Sequence, residues 1–173
     1  MIEIVSQPFC WFLASLSLGR GTMSTPEENK ELVERTSFEV YTEGNVDLID
    51  EMVSDDYVLH DPTSPEEVRG PDGLKEHVKT YRDAFPDLDA TIESLIAEDD
   101  LVAVRFVTRG THEGPLPDLP DLEPTGKEFE VTGTEFDRIE DGKLAETWLM
   151  FDTLGFMEQL GVIPSEEIIA EET

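Results

Sequence analysis

The chain has 173 residues, which fits one domain with a substantial core. Its 41 Asp and Glu against 12 Lys and Arg give a formal net charge of -29, which excludes nucleic acid and anionic membranes as partners, since both need basic patches. Disorder is excluded for most of the chain, because the 38% of residues that are hydrophobic fall into periodic runs.

The charge therefore reads as an acidic, strongly hydrated surface on a folded protein. Halophilic proteins use such surfaces to stay soluble in concentrated salt, where repulsion is screened within about 3 Å at 1 M. A halophilic protein is expected. Cys10 is the single cysteine, so no intrachain disulfide is expected. It lies in an apolar stretch, Phe9 to Leu18, with the look of a signal-peptide core. No Lys or Arg precedes it, Glu3 has the wrong sign, and the stretch is too short to span a membrane. The expectation is an upstream extension over 1–22, a domain over 23–164 that starts at Met23, and an acidic tail over 165–173, in a cytoplasmic protein. The alternative for the extension is an export signal.

Thr25-Pro26-Glu27-Glu28 reads as a capping box opening a helix to about Thr42, with Gly44 as its stop. Val33, Ser37, Val40 and Tyr41 share one face of it. A short helix over about 46–53 buries Leu48, Ile49 and Met52. Tyr57-Val58-Leu59-His60 is a short strand, and 61–65 is a loop. A third helix follows Gly70-Pro71-Asp72-Gly73 and carries Leu74, Val78, Tyr81 and Phe85 as an i, i+4, i+7, i+11 stripe. Strands are predicted at about 89–97 and 101–111, joined by Asp99-Asp100. The proline-rich stretch 114–126 is a long loop, either a lid or binding loop or a stiff surface excursion.

Asp141-Gly142 marks a hairpin turn. Before it, Phe129 to Thr132 alternates as a half-buried strand does. After it, the chain runs into Trp148-Leu149-Met150-Phe151, four apolar residues that put bulk on both faces. Helices can cover one face; an enclosed apolar pocket would meet the other. A closing helix over about 153–160 turns Leu154, Met157 and Leu160 inward. Helices gathered on one face of a curved, mostly antiparallel sheet give an α+β cone.

The segments YVLHDP, GPDGLKEHVKTYRDAFPDLDATIESLIAEDDLVAVRFVTRGTHEGPL and PTGKEFEVTGTEFDRIEDGKLAETWLMFDTLGFMEQLG resemble the SnoaL-like polyketide (ester) cyclase family. They do so in order over about 23–164. The resemblance implies the nuclear transport factor 2-like cone, with three N-terminal helices on one face of the sheet and a short C-terminal helix. It also implies a pocket inside and a homodimer. Studied members close a ring of an aromatic polyketide ester by intramolecular aldol condensation, with no metal and no cofactor.

Such chemistry needs a base beside the carbonyl and a donor for the oxyanion. The resemblance puts the family's catalytic aspartate at Leu149, its histidine at Glu135 and an aromatic of the first helix at Tyr41. Leucine cannot carry a proton, so His60, Glu135 and Asp152 are the catalytic candidates. Each has a plainer role available. His60 and Asp61 end a strand at the expected pocket rim, or simply form a turn. Glu135 follows Gly133, which marks an expected bulge, and is a pocket acid or an exterior carboxylate. Asp152 is an acid beside an apolar pocket, or the N-cap of the last helix.

Tyr41, Asp61, Arg105, His112, Trp148 and Leu149 complete the expected pocket. Arg105, in an apolar strand, needs a partner if buried; Glu135 and Asp152 are the options. His112 borders the long loop and faces its mouth. His60, His77 and His112 lie on different elements without a ligand spacing, so no metal site is expected. The function expected is acid–base catalysis of the cyclase, isomerase or lyase type on a small hydrophobic carbonyl compound. The alternative is a non-catalytic small-molecule-binding or dimeric interaction protein that keeps the fold.

Overall fold

The computed structural model describes residues 24–163, apart from 65, 117, 118, 120 and 121. The expected extension with Cys10, the Met23 start and the acidic tail from 165 lie outside the described residues. No helix among the described residues is long and apolar enough to cross a membrane.

Thr25 caps helix α1 (Pro26–Arg35) as its sequence foretells. Its N–H donates to Glu28 Oε2 at 2.7 Å, and its Oγ1 accepts from the Glu28 N–H at 3.3 Å. The helix then widens into a π-helical segment, Thr36–Thr42, and ends at Gly44, whose φ of +77° is the left-handed value that favours glycine. A 3-10 turn at Val46–Leu48 leads into α2 (Ile49–Met52), where Ile49 and Met52 are buried.

Strand β1 (Val53–His60) starts four residues before Tyr57. A two-residue strand, β2 (Val68–Arg69), for which the sequence reading had no element, pairs with it. Helix α3 (Gly70–Ala84) buries Leu74 and Val78, and Phe85 is buried just past its end. Arg82 of α3 donates from Nη1 to the carbonyls of Tyr41 and Thr42, at 2.9 and 2.6 Å. The cation thus satisfies carbonyls that the end of the first helix leaves open.

Strands β3 (Asp89–Glu98), β4 (Leu101–Thr111), β5 (Glu128–Glu140) and β6 (Lys143–Phe151) follow, then α4 (Thr153–Leu160). At the β5–β6 turn both Asp141 and Gly142 have positive φ, as a two-residue type I′ hairpin requires. One sheet results, in the order β2-β1-β6-β5-β4-β3. It is antiparallel except where β1 runs parallel to β6. Register shifts at 53/58, 92/94 and 138/139 curve it, since an extra residue bends its strand.

The helices pack on the inner face. The main core joins Val33, Val40, Ile49, Tyr57 and Leu74 to Val102, Val104 and Leu144. A second cluster at the other end joins Phe85 and Leu116 to Phe129, Phe156 and Leu160. Two expectations are corrected. In α4, Leu160 is buried and Met157 packs against the second cluster as expected, but Leu154 is 64% exposed and Phe156 takes the inward place, edge-on to Phe129 at 4.9 Å. The helices and the cavity also lie on the same face of the sheet. The opposite face, with Phe136, Trp148 and Met150, is open to solvent.

Candidate active site

Strand β5 supplies the site by its two-residue period. Phe129, Val131, Gly133, Asp137 and Ile139 alternate as buried positions, and Glu135 continues the same face. Glu135 stands opposite Val104 on β4 and Leu149 on β6; Asp137 stands opposite Val102 and Thr147. The expected bulge at Gly133 is absent, and the register shift comes later, between Arg138 and Ile139. Gly133 instead makes room: a Cβ there would lie 2.3 Å from the ring of Phe106.

These side chains open onto a cavity of about 140 Å³ between sheet and helices. Phe106, Phe129, Phe151 and Leu149 form apolar wall, and Tyr41, Tyr57, Asp61, His77 and Tyr81 also line the cavity. Asp137 is 2% exposed. Its Oδ1 accepts a hydrogen bond from Thr147 Oγ1 at 2.7 Å, while Oδ2 is buried without a hydrogen-bond partner among the described residues. Glu135 is half-buried, and its remaining surface lies on the cavity.

Loss of water raises both acids. Burial pushes Asp137 up to about 7, against the opposing bond from Thr147. Burial, and then the neighbouring charge of Asp137, hold Glu135 well above the usual carboxylate range. Two such groups titrate as a pair, and both hold their protons to higher pH than exposed carboxyl groups do. Burial also raises Tyr41 and Tyr57, so both keep their phenol protons and remain donors.

The other predicted residues fall in three places. Tyr41, Asp61 and Leu149 line the cavity with Glu135. Asp61 is fixed by Thr63, whose N–H and Oγ1 donate to Oδ1 at 2.8 and 2.7 Å. His60, Arg105 and Trp148 lie on the outer face. His60 stacks on Trp148 with ring centroids 5.7 Å apart, and its Nε2 is 2.8 Å from Glu146 Oε1. Arg105 pairs with Glu93 rather than with Glu135 or Asp152. Asp152 and His112 hold backbone. Asp152 Oδ1 accepts from the Gly155 N–H at 2.9 Å as the N-cap of α4. His112 does not face a mouth: it is fully buried against Phe85, and its Nδ1 accepts from the Thr125 N–H at 3.2 Å, anchoring the loop that follows β4.

The sequence reading did not place Asp137, Thr147, Tyr57, His77 or Tyr81 in the cavity that they line. For Asp137 a signal was present, since two residues along a strand from Glu135 returns to the same face.

The model of the SnoaL-like polyketide cyclase family matches residues 31–160. Among solved structures, TsrD from Streptomyces laurentii is similar at 26% identity and a TM-score of 0.70, covering 81% of this chain and 99% of its own. A protein from Acidithiobacillus ferrooxidans, provisionally described as a polyketide cyclase, is similar at 33% identity and a TM-score of 0.69, with the same coverage of 81% and 99%. IdmH from Streptomyces antibioticus, also provisionally described as a polyketide cyclase, has 28% identity and a TM-score of 0.64 over 77% of this chain and 98% of that one. No curated protein matches the chain. With its curved sheet, its helices on the inner face and three quarters of its length matched, the chain belongs to the SnoaL-like polyketide cyclase family.

Proposed function

We propose that the protein is a general acid–base enzyme acting on a small hydrophobic carbonyl compound, with Glu135 and Asp137 as its proton-handling pair. The observation that supports this is the pairing of two carboxyl groups on one face of β5, inside an apolar cavity that raises both. A base of such raised pKa is matched to a carbon acid near neutral pH. In this reading the ionised member takes a proton from the carbon beside the carbonyl. The protonated member and the Tyr41 hydroxyl donate to the oxygen on which negative charge grows. Thr147 holds Asp137 in place for the exchange. The pair then replaces the aspartate that the family resemblance puts at Leu149. The cavity volume is close to that of the roughly 150 Å³ engineered cavity that accepts benzene, which favours a compact reacting group.

Hydrogen–deuterium exchange at the α-carbon of one-ring ketones and esters in D2O, followed by NMR, tests the reading. Exchange above buffer that disappears in both Glu135→Gln and Asp137→Asn is expected. Exchange that survives in both variants sinks it. Leu149 favours a second reading, a binding protein without turnover, which predicts ligand-induced stabilisation but no exchange with any probe.

The bare apolar face formed by Phe136, Trp148 and Met150 supports a homodimer through the outer side of the sheet. Sedimentation of the full chain across protein concentration tests that assembly.

A further inference from the structure

We infer that the inner cavity is a binding site for a small organic cation, a single ring bearing a protonated amine held between Glu135 and Asp137. It needs only the cavity, not the reaction proposed above. The leading observation is Asp137, which lines the cavity and whose Oδ2 is buried without a hydrogen-bond partner among the described residues. A buried carboxyl oxygen in that position is stabilised by a donor from a ligand.

The lining decides what kind of donor. Among the described residues three carboxyl groups, Asp61, Glu135 and Asp137, face the cavity, and no Lys or Arg does. Asp61 is already engaged through Thr63, which leaves the β5 pair for the ligand. The arginines nearest in the sheet point outward and are occupied there, Arg105 by Glu93 and Arg138 by Glu146. Among the described lining residues the one group that can become cationic is His77, whose Nε2 lies 4.0 Å from Asp61 Oδ2, so no Lys or Arg competes for the β5 pair. Aromatic walls suit both halves of the guest, a flat ring by stacking and an ammonium by its attraction to aromatic faces. A net charge of -29 also concentrates cations around the molecule and repels anions.

Protons balance simply. At pH 6, below the raised range of both acids, burial keeps protons on the pair in the empty cavity. When the ammonium docks, one carboxylic acid ionises, its proton passes to the buffer, and a carboxylate–ammonium pair remains. The other ionisable groups facing the cavity are Tyr41, Tyr57, Asp61, His77 and Tyr81.

Isothermal titration of the full chain with benzylamine, benzyl alcohol and benzoate provides the test. It is run at pH 6 and 7.5, in 0.2 M and 1 M salt, and in two buffers of different ionisation heat. One benzylamine per chain is expected. Its binding should be at least tenfold tighter than benzyl alcohol at pH 7.5, weaker at pH 6, and accompanied by release of up to one proton. Benzoate should bind at least tenfold more weakly than the alcohol. Glu135→Gln and Asp137→Asn should each erase the preference for amine while retaining benzyl alcohol. Absence of amine binding at millimolar concentration, equal affinity for amine and alcohol at pH 7.5, or amine binding at pH 6 without proton release overturns the proposal. So does an amine preference that survives in both variants. If a variant fails to fold, the ranking and the proton count of the unaltered chain decide. Amine binding without α-exchange removes the proposed reaction and leaves this ligand class standing; α-exchange without amine preference does the reverse.

Discussion

Glu135 and Glu146 lie on neighbouring strands of one sheet and differ in which face they occupy. Glu146 is on the outer face, where hydrogen bonds from His60 and then Arg138 hold its pKa below the usual carboxylate range. Glu135 is on the inner face, where the absence of water and the neighbouring Asp137 hold its pKa well above that range. The residue type is the same and the strands are hydrogen-bonded partners. The difference is that the outer acid has cations beside it and solvent nearby, and the inner acid has neither. On this chain, acidity is assigned by the phase of strand alternation, and the fold spends its basic side chains on the outside.

The comparison breaks most visibly in activity. Glu135→Gln or Asp137→Asn should lower α-exchange by about 10²–10⁴-fold, the usual worth of a positioned acid or base. Glu146→Gln should leave it within about twofold; equal losses at both faces would end the distinction.

Next in size is Leu149→Asp, which adds an acid opposite Glu135 on the inner face. A third buried carboxyl beside the pair should cost on the order of 2–4 kcal/mol of stability, measured by denaturant unfolding. A neutral outcome would mean that water fills the cavity freely.

The pH dependence follows from the same contrast. An acid whose pKa is raised by folding binds more protons folded than unfolded between its unfolded value, near 4, and its folded value. Stability therefore falls as pH rises through that window. The wild type should lose on the order of 2–3 kcal/mol between pH 5 and pH 8, and Asp137→Asn should flatten that slope, read by thermal unfolding in high salt. Glu146 has the opposite sign: its contribution is present above its unfolded value, near 4.5, and is lost as pH falls through its lowered one. Its partial exposure should keep that contribution below about 1 kcal/mol.

Smallest in stability, though not in assembly, is the outer apolar patch. Trp148→Ala or Phe136→Glu should change monomer stability by less than about 1 kcal/mol, since both side chains are solvent-exposed. Each should shift sedimentation from dimer toward monomer. An unaltered sedimentation profile would leave the patch without that role.

Much of the architecture was legible because it rests on local signals. The capping box at Thr25, the Asp141-Gly142 turn and the stripe on α3 each act over a few residues. Strand β2 and the π-helical turn were not, because each depends on contacts distant in sequence. Trp148 and Leu149 show the same limit within the site. A run of four apolar residues does not reveal its own phase, and here pairing with β5 turns Leu149 in and Trp148 out. Asp137 escaped notice because it sits in a charged run with Arg138, Glu140 and Asp141, which reads as surface. His60 was expected at the rim, but its strand carries it to the side where Glu146 and Glu67 wait.

Gly133 has a role out of proportion to its size. The Phe106 ring occupies the space that any larger residue would need at that position. Even an added methyl group would have to shift the ring, and the ring is one of the boundaries of the hollow. The room left for a guest is therefore metered by a backbone position outside its lining, and a change there would resize the chamber without altering any group that carries a proton.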